Sequence, residues 1–180
     1  IGSIGMDKYK FVKITVDDFK SLYKVIENSF PSIERRNYEE QKKLFDDELY
    51  NVIGYKDADD RVGAFLAFWK FEDFNFIEHF AVDYKLRGNG MGTELFNRYL
   101  SSDDKMTILE VELPKDEISE KRIKYYEKMG MILNDYEYMQ PPLQKGKPLL
   151  PLMVMSYKNE LKSHEFKKIK EQIYKTVYKY

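Results

Sequence analysis

The sequence predicts a mixed α/β (α+β) protein, with one sheet flanked by helices, and three observations favour that class. Runs rich in β-branched and aromatic residues, typical of strands, are interleaved with stretches whose apolar residues recur at helical spacing. Helices come early, a meander of strands follows, and the second half has a β-α-β-α-β order. The 180 residues, 43% of them hydrophobic, are enough for one sizeable core. Because no internal repeat or linker divides the chain, we expect a single domain over residues 6–180.

The first half of the chain predicts one strand, two helices and three further strands. Residues 8–14 alternate as a strand does, and Thr15 ahead of two aspartates suits a helix N-terminus. Pro31 marks the end of that helix, and the turn-rich residues 56–60 separate two strands. The expected helices cover residues 17–30 and 38–44, and the expected strands cover residues 49–55, 61–71 and 74–82.

The second half predicts two helices between strands and a closing helix. A glycine-rich loop at residues 88–92 precedes the first helix, and Gly130 ends the second. Residues 159–180 are lysine-rich, with apolar residues at helical spacing, and are interpreted as a C-terminal helix. The second helix is expected over residues 117–130, and the strands over residues 105–113, 131–139 and 148–157.

The composition argues against several classes of protein. The formal net charge is -1, so nothing indicates a nucleic-acid or anionic membrane partner. No apolar run approaches the roughly 18 residues that span a bilayer. The chain has no cysteine, which excludes disulfides and thiol nucleophiles and suits a reducing cytoplasm. His79 and His164 are its only histidines, so we expect no metal site. Residues 1–5 lack the features of a signal peptide and are interpreted as an appended, non-native segment.

The stretch LRGNGMGTELFNRYL, residues 86–100, is typical of a loop that binds an anion through its backbone. Glycines tolerate positive φ and lack a Cβ, so backbone N–H groups can converge on a ligand there. Unpaired amides at the start of a helix, together with the helix dipole, favour a phosphate. Arg87 can add charge-assisted hydrogen bonds at the rim. The alternative is a glycine-rich turn that merely joins a strand to a helix.

Two other phosphate-binding loops fit the spacing less well. A P-loop has Lys and then Ser or Thr after its last glycine, whereas Thr93 and Glu94 follow Gly92. The dinucleotide fingerprint separates its last two glycines by two residues, whereas only Met91 separates them here, and no clear βαβ start precedes the loop.

The segment FAVDYKLRGNGMGTEL resembles the acyl-coenzyme A motif of the GNAT superfamily of N-acetyltransferases, Arg/Gln-x-x-Gly-x-Gly/Ala after a strand that ends in Val-Asp/Pro. Arg87, Gly90 and Gly92 fill its three defining positions. The resemblance extends along nearly the whole chain, and it implies a mixed, mostly antiparallel twisted sheet flanked by helices. Residues 77–82, 109–114 and 140–156 resemble an uncharacterised bacterial-type subgroup.

The resemblance implies that the loop amides hold the coenzyme A pyrophosphate and that the preceding strand pairs with the pantetheine arm. The backbone of Phe80 and Val82 would supply the strand contacts. The implied loop residues are Arg87, Gly88, Asn89, Gly90, Met91, Gly92 and Thr93.

A second motif supports the resemblance. RIKYYEKMGM, residues 122–131, is similar to the family signature aromatic-Tyr-x-x-x-Gly-Phe. Tyr126 takes the tyrosine position, and Met131 replaces the usual phenylalanine, a conservative change for packing. The family often has an asparagine early in this helix, which this chain does not clearly supply. A neutral tyrosine can donate a proton to a leaving thiolate, so Tyr126 is the predicted catalytic acid, whereas Tyr125 is expected in the core.

The predicted base is Glu78, because an amine attacking a thioester must lose a proton near neutral pH. Strict strand alternation would separate Glu78 from His79, so only one of them would reach the cleft. A carboxylate among aromatic side chains should have a raised pKa. Glu112 is the rival base, and a salt-bridge role is the alternative for Glu78. Alternation would place five side chains on one face: Phe74, Phe76, Glu78, Phe80 and Val82.

The resemblance implies a cytoplasmic acyltransferase that moves an acetyl group from acetyl-coenzyme A to a primary amine by direct attack in a ternary complex. The alternative is a non-catalytic acyl-coenzyme A binding module with a GNAT-like fold. The sequence does not identify the acceptor, a small molecule or a peptide. Tyr138, residues 141–148 and the early helices should form the walls of its pocket. The sequence leaves the oligomeric state open, with a homodimer as one alternative.

Overall fold

A seven-stranded mixed sheet forms the centre of the protein, in a computed structural model that describes residues 8–180. The strand order is β1-β2-β3-β4-β5-β7-β6. Neighbouring strands are antiparallel except β4 and β5, which are parallel. The strands are β1 (Val12–Lys13), β2 (Tyr50–Lys56), β3 (Val62–Lys70), β4 (Phe74–Val82), β5 (Met106–Glu112), β6 (Met131–Gln140) and β7 (Leu150–Tyr157).

Within residues 8–180, five α-helices flank this sheet. Phe19 of the first helix and Phe166 of the last belong to the core cluster on one face. Leu95 and Ile123, from the third and fourth helices, belong to the cluster on the other face. This arrangement confirms the predicted mixed, mostly antiparallel sheet flanked by helices. The helices are α1 (Phe19–Ser29), α2 (Tyr38–Lys43), α3 (Met91–Ser102), α4 (Glu117–Lys128) and α5 (Ser163–Ile173).

Two predicted elements differ most from their expected bounds. The first strand was expected over residues 8–14, but only Val12 and Lys13 pair with β2. The last helix was expected from residue 159, but it begins at Ser163, because the Leu161 N–H donates to Asn134 Oδ1 (2.8 Å) across the core. It continues into a π-helical turn, Tyr174–Tyr178. The segment over residues 1–5 lies outside the described residues, as does Met6.

No helix within residues 8–180 is long and apolar enough to cross a membrane.

A β-bulge interrupts β4 at Glu78. His79 pairs with Ala67 of β3, and Ile77 pairs with Phe68, so Glu78 is an extra residue without an opposite partner. An extra residue inverts the alternation of side chains beyond it. Phe74 and Phe76 therefore pack on the α1 and α5 face, whereas Phe80 and Val82 pack on the α3 and α4 face. The expectation that all five alternating residues of this strand share one face was wrong for this reason.

The parallel pairing of β4 with β5 covers only the first half of β4. It runs from Phe74 opposite Met106 to Ile77 opposite Leu109 and then stops. β4 continues to Val82 and β5 to Glu112, so the two strands diverge just past the bulge. The divergence opens a cleft in the sheet and leaves backbone groups of β4 without a strand partner on that side.

A buried ion pair fixes the bulge. Arg36 lies in the turn between α1 and α2, and its guanidinium binds both carboxylate oxygens of Glu78. The two side chains are 7% and 1% exposed. Trp69 Nε1 donates to Glu78 Oε1 (2.8 Å), and Arg36 Nη2 also donates to the Val177 carbonyl (3.1 Å). The pair thus ties the bulge to β3, to the α1–α2 turn and to the C-terminal turn.

Candidate active site

The cleft between the diverging ends of β4 and β5 is the candidate site. It has a volume of about 530 Å³. The glycine-rich loop and α4 line one side, and the turn after α1 lines the other, with Phe30 and Glu34. Glu78 and His79, at the bulge of β4, also line the cleft.

The conformation of the loop agrees with the requirement for glycine at two positions. Gly88 and Gly90 have φ of 86° and 76°, in the left-handed region where glycine has no Cβ penalty. A Cβ at either position would meet no atom within 4 Å, so backbone conformation rather than space favours glycine. Gly90 is the N-cap of α3, and the unpaired amides of the first turn follow it directly.

Gly92, the third glycine of the loop, is favoured for a different reason, which is close packing. A Cβ on Gly92 would lie 3.3 Å from Val82 Cγ2 and 3.5 Å from the Phe80 ring, so α3 approaches β4 closely there. Arg87 Nε donates to the Val82 carbonyl (3.0 Å), which holds the loop against the end of the strand. The structure thus brings Phe80, Val82 and the loop together on one side of the cleft.

The cations and the carboxylates of the cleft lining come from different elements. The cations come from the glycine-rich loop and α4, and the carboxylates come from β4, β5 and the turn after α1. No group of three or more metal-ligating side chains occurs within the described residues 8–180. The cations are Arg87, Lys121 and Arg122, and the carboxylates are Glu34, Glu78, Glu110 and Glu112.

Both tyrosines near the end of α4 line the cleft. Tyr126 packs against Phe96 of α3, and its hydroxyl has no hydrogen-bond partner among the residues that the structure describes. Burial raises the pKa of Tyr126 to about 12, so the hydroxyl keeps its proton at neutral pH. The expectation that Tyr125 belongs to the core was wrong. Its hydroxyl reaches Thr93 Oγ1 (3.1 Å) at the start of α3, because it lies on the helix face that meets the loop.

Glu78 and His79 do not point to opposite sides, because the bulge breaks the alternation. His79 Nδ1 lies 3.4 Å from Glu78 Oε2, and both residues line the cleft. The expected rise in the pKa of Glu78 was also wrong. Burial alone would raise it, but the charges of Arg36 and His79 and the hydrogen bonds from Arg36 and Trp69 hold the pKa below its ordinary value. Glu78 therefore stays ionised and paired.

Glu110 is a carboxylate whose pKa is raised, and it was not predicted from the sequence as a site residue. It lies on β5 and lines the same cleft as Glu78. Burial raises its pKa from 4.5 to about 7, although hydrogen bonds from Tyr138, Tyr178 and Gln140 act in the opposite direction. The available signal was a carboxylate in the middle of the otherwise apolar run Ile108–Val111. On this strand, Glu112 was the carboxylate expected as a rival base.

Glu112 lies nearer the mouth of the cleft. Its side chain is 30% exposed, and its Oε1 is 4.0 Å from Arg122 Nη1. Glu34 is close by, and burial followed by the charge of Glu112 raises the pKa of Glu34. The mouth on this side therefore combines two carboxylates with one cation from α4.

The predicted walls of the acceptor pocket are placed only in part as expected. Tyr138 is buried and contacts Glu110 from behind instead of lining the cleft. Gln140, at the end of β6, lines it. Gln144 Nε2 donates to the Ser32 and Arg35 carbonyls (2.8 Å each), which fastens the loop over residues 141–148 to the α1–α2 turn.

Comparison with known proteins agrees with this geometry. The acetyltransferase (GNAT) family model matches residues 16–131, which include the glycine-rich loop and both tyrosines of α4. The chain belongs to the GNAT family of acetyltransferases, and it is an acyltransferase. No protein of curated function matches the sequence significantly.

Solved structures share the fold over most of the chain. A protein from Bacteroides thetaiotaomicron assigned to the GNAT family of acetyltransferases has a TM-score of 0.84 and 29% identity, over 94% of this chain and 98% of its own. The ribosomal-protein-S18-alanine N-acetyltransferase of Escherichia coli has a TM-score of 0.65 and 15% identity, over 86% and 96%. Arabidopsis thaliana NAA60 in complex with acetyl-coenzyme A has a TM-score of 0.64 and 13% identity, over 82% and 97%. At the two lower identities the likeness shows the fold alone.

The raised pKa of Glu110 predicts how stability depends on pH. The folded protein binds the Glu110 proton up to about pH 7, whereas the unfolded chain loses it near 4.5. The neutral Glu110 carboxyl therefore adds to the free energy of unfolding, and this contribution is complete below about pH 4.5. It decreases as the pH rises and is lost once the pH passes about 7. Glu110→Gln lacks this dependence. Between pH 5 and pH 8 the parent should lose about 2 kcal/mol of stability that the variant does not lose. The melting temperature of Glu110→Gln minus that of the parent should therefore increase by roughly 4–8 °C over this range.

Thermal unfolding of both proteins across this pH range measures the effect. Glu112→Gln is the matched control on the same strand, because its side chain is partly exposed beside Arg122. A constant difference between Glu110→Gln and the parent would contradict the raised pKa.

Proposed function

We propose that the protein transfers an acetyl group from acetyl-coenzyme A to a primary amine by direct attack within a ternary complex. The observation that carries this proposal is the glycine-rich loop, whose first-turn amides open into the cleft beside the unpaired edge of β4. No cysteine exists to carry the acetyl group as a thioester, which favours direct transfer.

The residues on the α3 and α4 side fit the coenzyme. The amides that follow Gly90 suit a pyrophosphate, and Arg87, Lys121 and Arg122 supply positive charge on the same side. Backbone groups of β4 between Phe80 and Val82 have no β5 partner and suit the amide groups of the pantetheine arm. Acetyl-coenzyme A, when bound, supplies a thioester carbonyl that an amine can attack.

Two side chains fit the proton transfers that this attack requires. Glu110, with a pKa of about 7, can accept the proton that the amine loses as its nitrogen bonds to the carbonyl carbon. Tyr126 keeps its proton at neutral pH and can donate it to the sulfur as the carbon–sulfur bond breaks. Glu78 was the base expected from the sequence, but its ion pair with Arg36 suits a positioning role better.

The acceptor fits the opposite side of the cleft. Glu34, Glu110 and Glu112 line that side, and carboxylates are the electrostatic complement of an ammonium group. A small-molecule amine and a peptide amine both satisfy this description. A cytoplasmic location, a homodimer, and the lack of a nucleic-acid or membrane partner stay as predictions from the sequence.

The alternative function is a non-catalytic module that binds acyl-coenzyme A. Such a module needs the loop but has no use for a proton donor or an acceptor of raised pKa in the cleft. Tyr126 and Glu110 both line the cleft, and this favours the enzyme.

Coenzyme binding through the loop is directly testable. Coenzyme A at about 100 times its Kd should add roughly 2.7 kcal/mol to stability and raise the melting temperature by about 5–10 °C. Gly90→Asp should abolish the rise, because it adds a negative charge where the phosphates approach. ATP and NAD should give little shift in the parent, because neither has a pantetheine arm.

Gly146→Asp is the control for backbone strain. Gly146 also has positive φ (83°), and a Cβ there meets no atom within 4 Å, but it lies far from the loop along the chain. It should lower the melting temperature as Gly90→Asp does and still respond to coenzyme A. If the parent shows no shift at millimolar coenzyme A, the phosphate-loop assignment fails.

The role of Tyr126 predicts a division between kcat and coenzyme binding. Tyr126→Phe should lower kcat by roughly 10²–10⁴, the usual contribution of a general acid, and leave coenzyme A binding nearly unchanged. Tyr125→Phe should keep kcat and raise the KM for acetyl-coenzyme A modestly, since it loses only the contact with Thr93. Thiol release with a panel of amines measures both. Parent-like kcat in Tyr126→Phe would remove this residue from the mechanism.

The identity of the base predicts which variant changes the pH profile. The kcat/KM of the parent should rise with pH through about 7, as Glu110 loses its proton. Glu110→Gln should lower kcat/KM strongly and remove this limb, whereas Glu112→Gln and Glu78→Gln should keep it. Glu78→Gln should lower the melting temperature, because it disturbs the pair with Arg36. Loss of the limb in Glu78→Gln but not in Glu110→Gln would identify Glu78 as the base.

A further inference from the structure

The C-terminal turn contacts two residues near the cleft, Glu110 and Arg36. After α5, the π-helical turn Tyr174–Tyr178 replaces regular α-helix, and such turns are frequent at functional sites. Its Val177 carbonyl accepts a hydrogen bond from Arg36 (3.1 Å), and its Tyr178 side chain reaches β5. The Tyr180 N–H closes the segment by donating to the Tyr174 carbonyl (3.0 Å).

Tyr178 is one of three donors that hold the Glu110 carboxylate. Its hydroxyl lies 2.6 Å from Glu110 Oε1, and Gln140 Nε2 lies 3.2 Å from the same oxygen. Tyr138 donates to the other oxygen, Oε2 (2.5 Å). The carboxylate is thus oriented from behind, with its remaining acceptor capacity available to the cleft that Glu110 lines.

The direction of the Tyr178 hydrogen bond follows from Gln140. Gln140 Nε2 also donates to the Tyr178 hydroxyl oxygen (3.2 Å). An amide nitrogen is a donor only, so the hydroxyl accepts that bond and directs its own proton at Glu110. A donated proton stabilises the ionised carboxylate more than the protonated one.

We propose that Tyr178 is a positioning residue of the active site, which acts through Glu110 by stabilising the ionised carboxylate that accepts the proton of the amine. This inference rests on the proposed function for its catalytic consequence. Tyr178 does not contact the reacting atoms. Its hydroxyl sets the pH range in which Glu110 is available as a base, and the C-terminal turn is thereby part of the catalytic apparatus.

Other titratable groups lie near Glu110. Tyr138 faces it from β6, and Glu78 acts on it from β4 through its negative charge. Arg36 and His79 accompany Glu78. None of these contacts changes when the hydroxyl of Tyr178 alone is removed, so the variant Tyr178→Phe isolates one donor.

Tyr174 offers a matched control within the same turn. Its hydroxyl donates to the Met139 carbonyl, so Tyr174→Phe also removes one tyrosine hydroxyl and one hydrogen bond that fastens the turn. It leaves Glu110 and all three of its donors in place. A purely structural role of the turn would give both variants the same phenotype.

The experiment compares the kcat/KM–pH profiles of the parent, Tyr178→Phe and Tyr174→Phe on an amine that the parent acetylates. Tyr178→Phe should move the acidic limb to higher pH by about one unit, with kcat/KM approaching that of the parent at alkaline pH. Tyr174→Phe should leave the limb where it is. Tyr178→Met, which also lacks the hydroxyl, replaces Tyr178→Phe if that variant does not fold. The proposal would be overturned if the acidic limb of Tyr178→Phe stayed where it is in the parent, or if its kcat/KM fell by the same factor at every pH. The same shift of the limb in Tyr174→Phe would also overturn it.

A second readout does not depend on acetyl transfer. The melting temperature of Tyr178→Phe should fall further below that of the parent at pH 8, where Glu110 is ionised, than at pH 5. This extra loss should vanish in the Glu110→Gln background. If the extra fall in melting temperature at pH 8 occurs and no amine is acetylated, the hydrogen bond between Tyr178 and Glu110 is supported and the proposed function fails. If acetyl transfer occurs and the loss is independent of pH, the positioning role fails alone.

Discussion

The buried ion pair between Arg36 and Glu78 is the contact on which the shape of the cleft depends. It joins the turn between α1 and α2 to the bulge of β4, and Arg36 extends it to the C-terminal turn. A buried pair contributes little net stability compared with apolar residues, but removing one partner costs about 3–5 kcal/mol. The pair therefore acts mainly as a constraint on geometry. It holds the extra residue of β4 in place at the point where β4 and β5 separate.

Two carboxylates in the cleft have pKa values shifted in opposite directions. Burial acts to raise the pKa of both Glu78 and Glu110. Glu78 has the guanidinium of Arg36 beside it, so its pKa is lowered in spite of burial. Glu110 has only neutral donors, which offset the cost of burial in part, so its pKa stays near 7. Environments that separate the pKa values of two like groups are typical of acid–base sites. This difference is the reason that Glu110 and not Glu78 is the proposed base.

Much of the fold and of the glycine-rich loop beside the cleft could be predicted, because their signals are local. Helical spacing, strand composition and the glycine pattern depend on residues a few positions apart, and the loop near Gly90 is a continuous segment. The side of the cleft formed by β5 and the turn after α1 was predicted poorly. Arg36 and Glu78 are 42 positions apart, Tyr178 and Glu110 are 68 apart, and Arg36 and Val177 are 141 apart. A raised pKa was assigned to Glu78 because the sequence did not indicate that Arg36 would lie beside it.

The sequence by itself determined the order of the elements, the positive-φ glycines before α3 and the presence of Tyr126 at the end of α4. These follow from backbone sterics and side-chain periodicity, which act within one segment. Only the tertiary structure decided that β4 carries a bulge at Glu78, that its side chains change face there, and that Tyr178 faces Glu110. A bulge is defined by pairing with another strand, and a buried pKa is defined by the charges and donors that surround the group. Both depend on neighbours that meet only when the chain is folded.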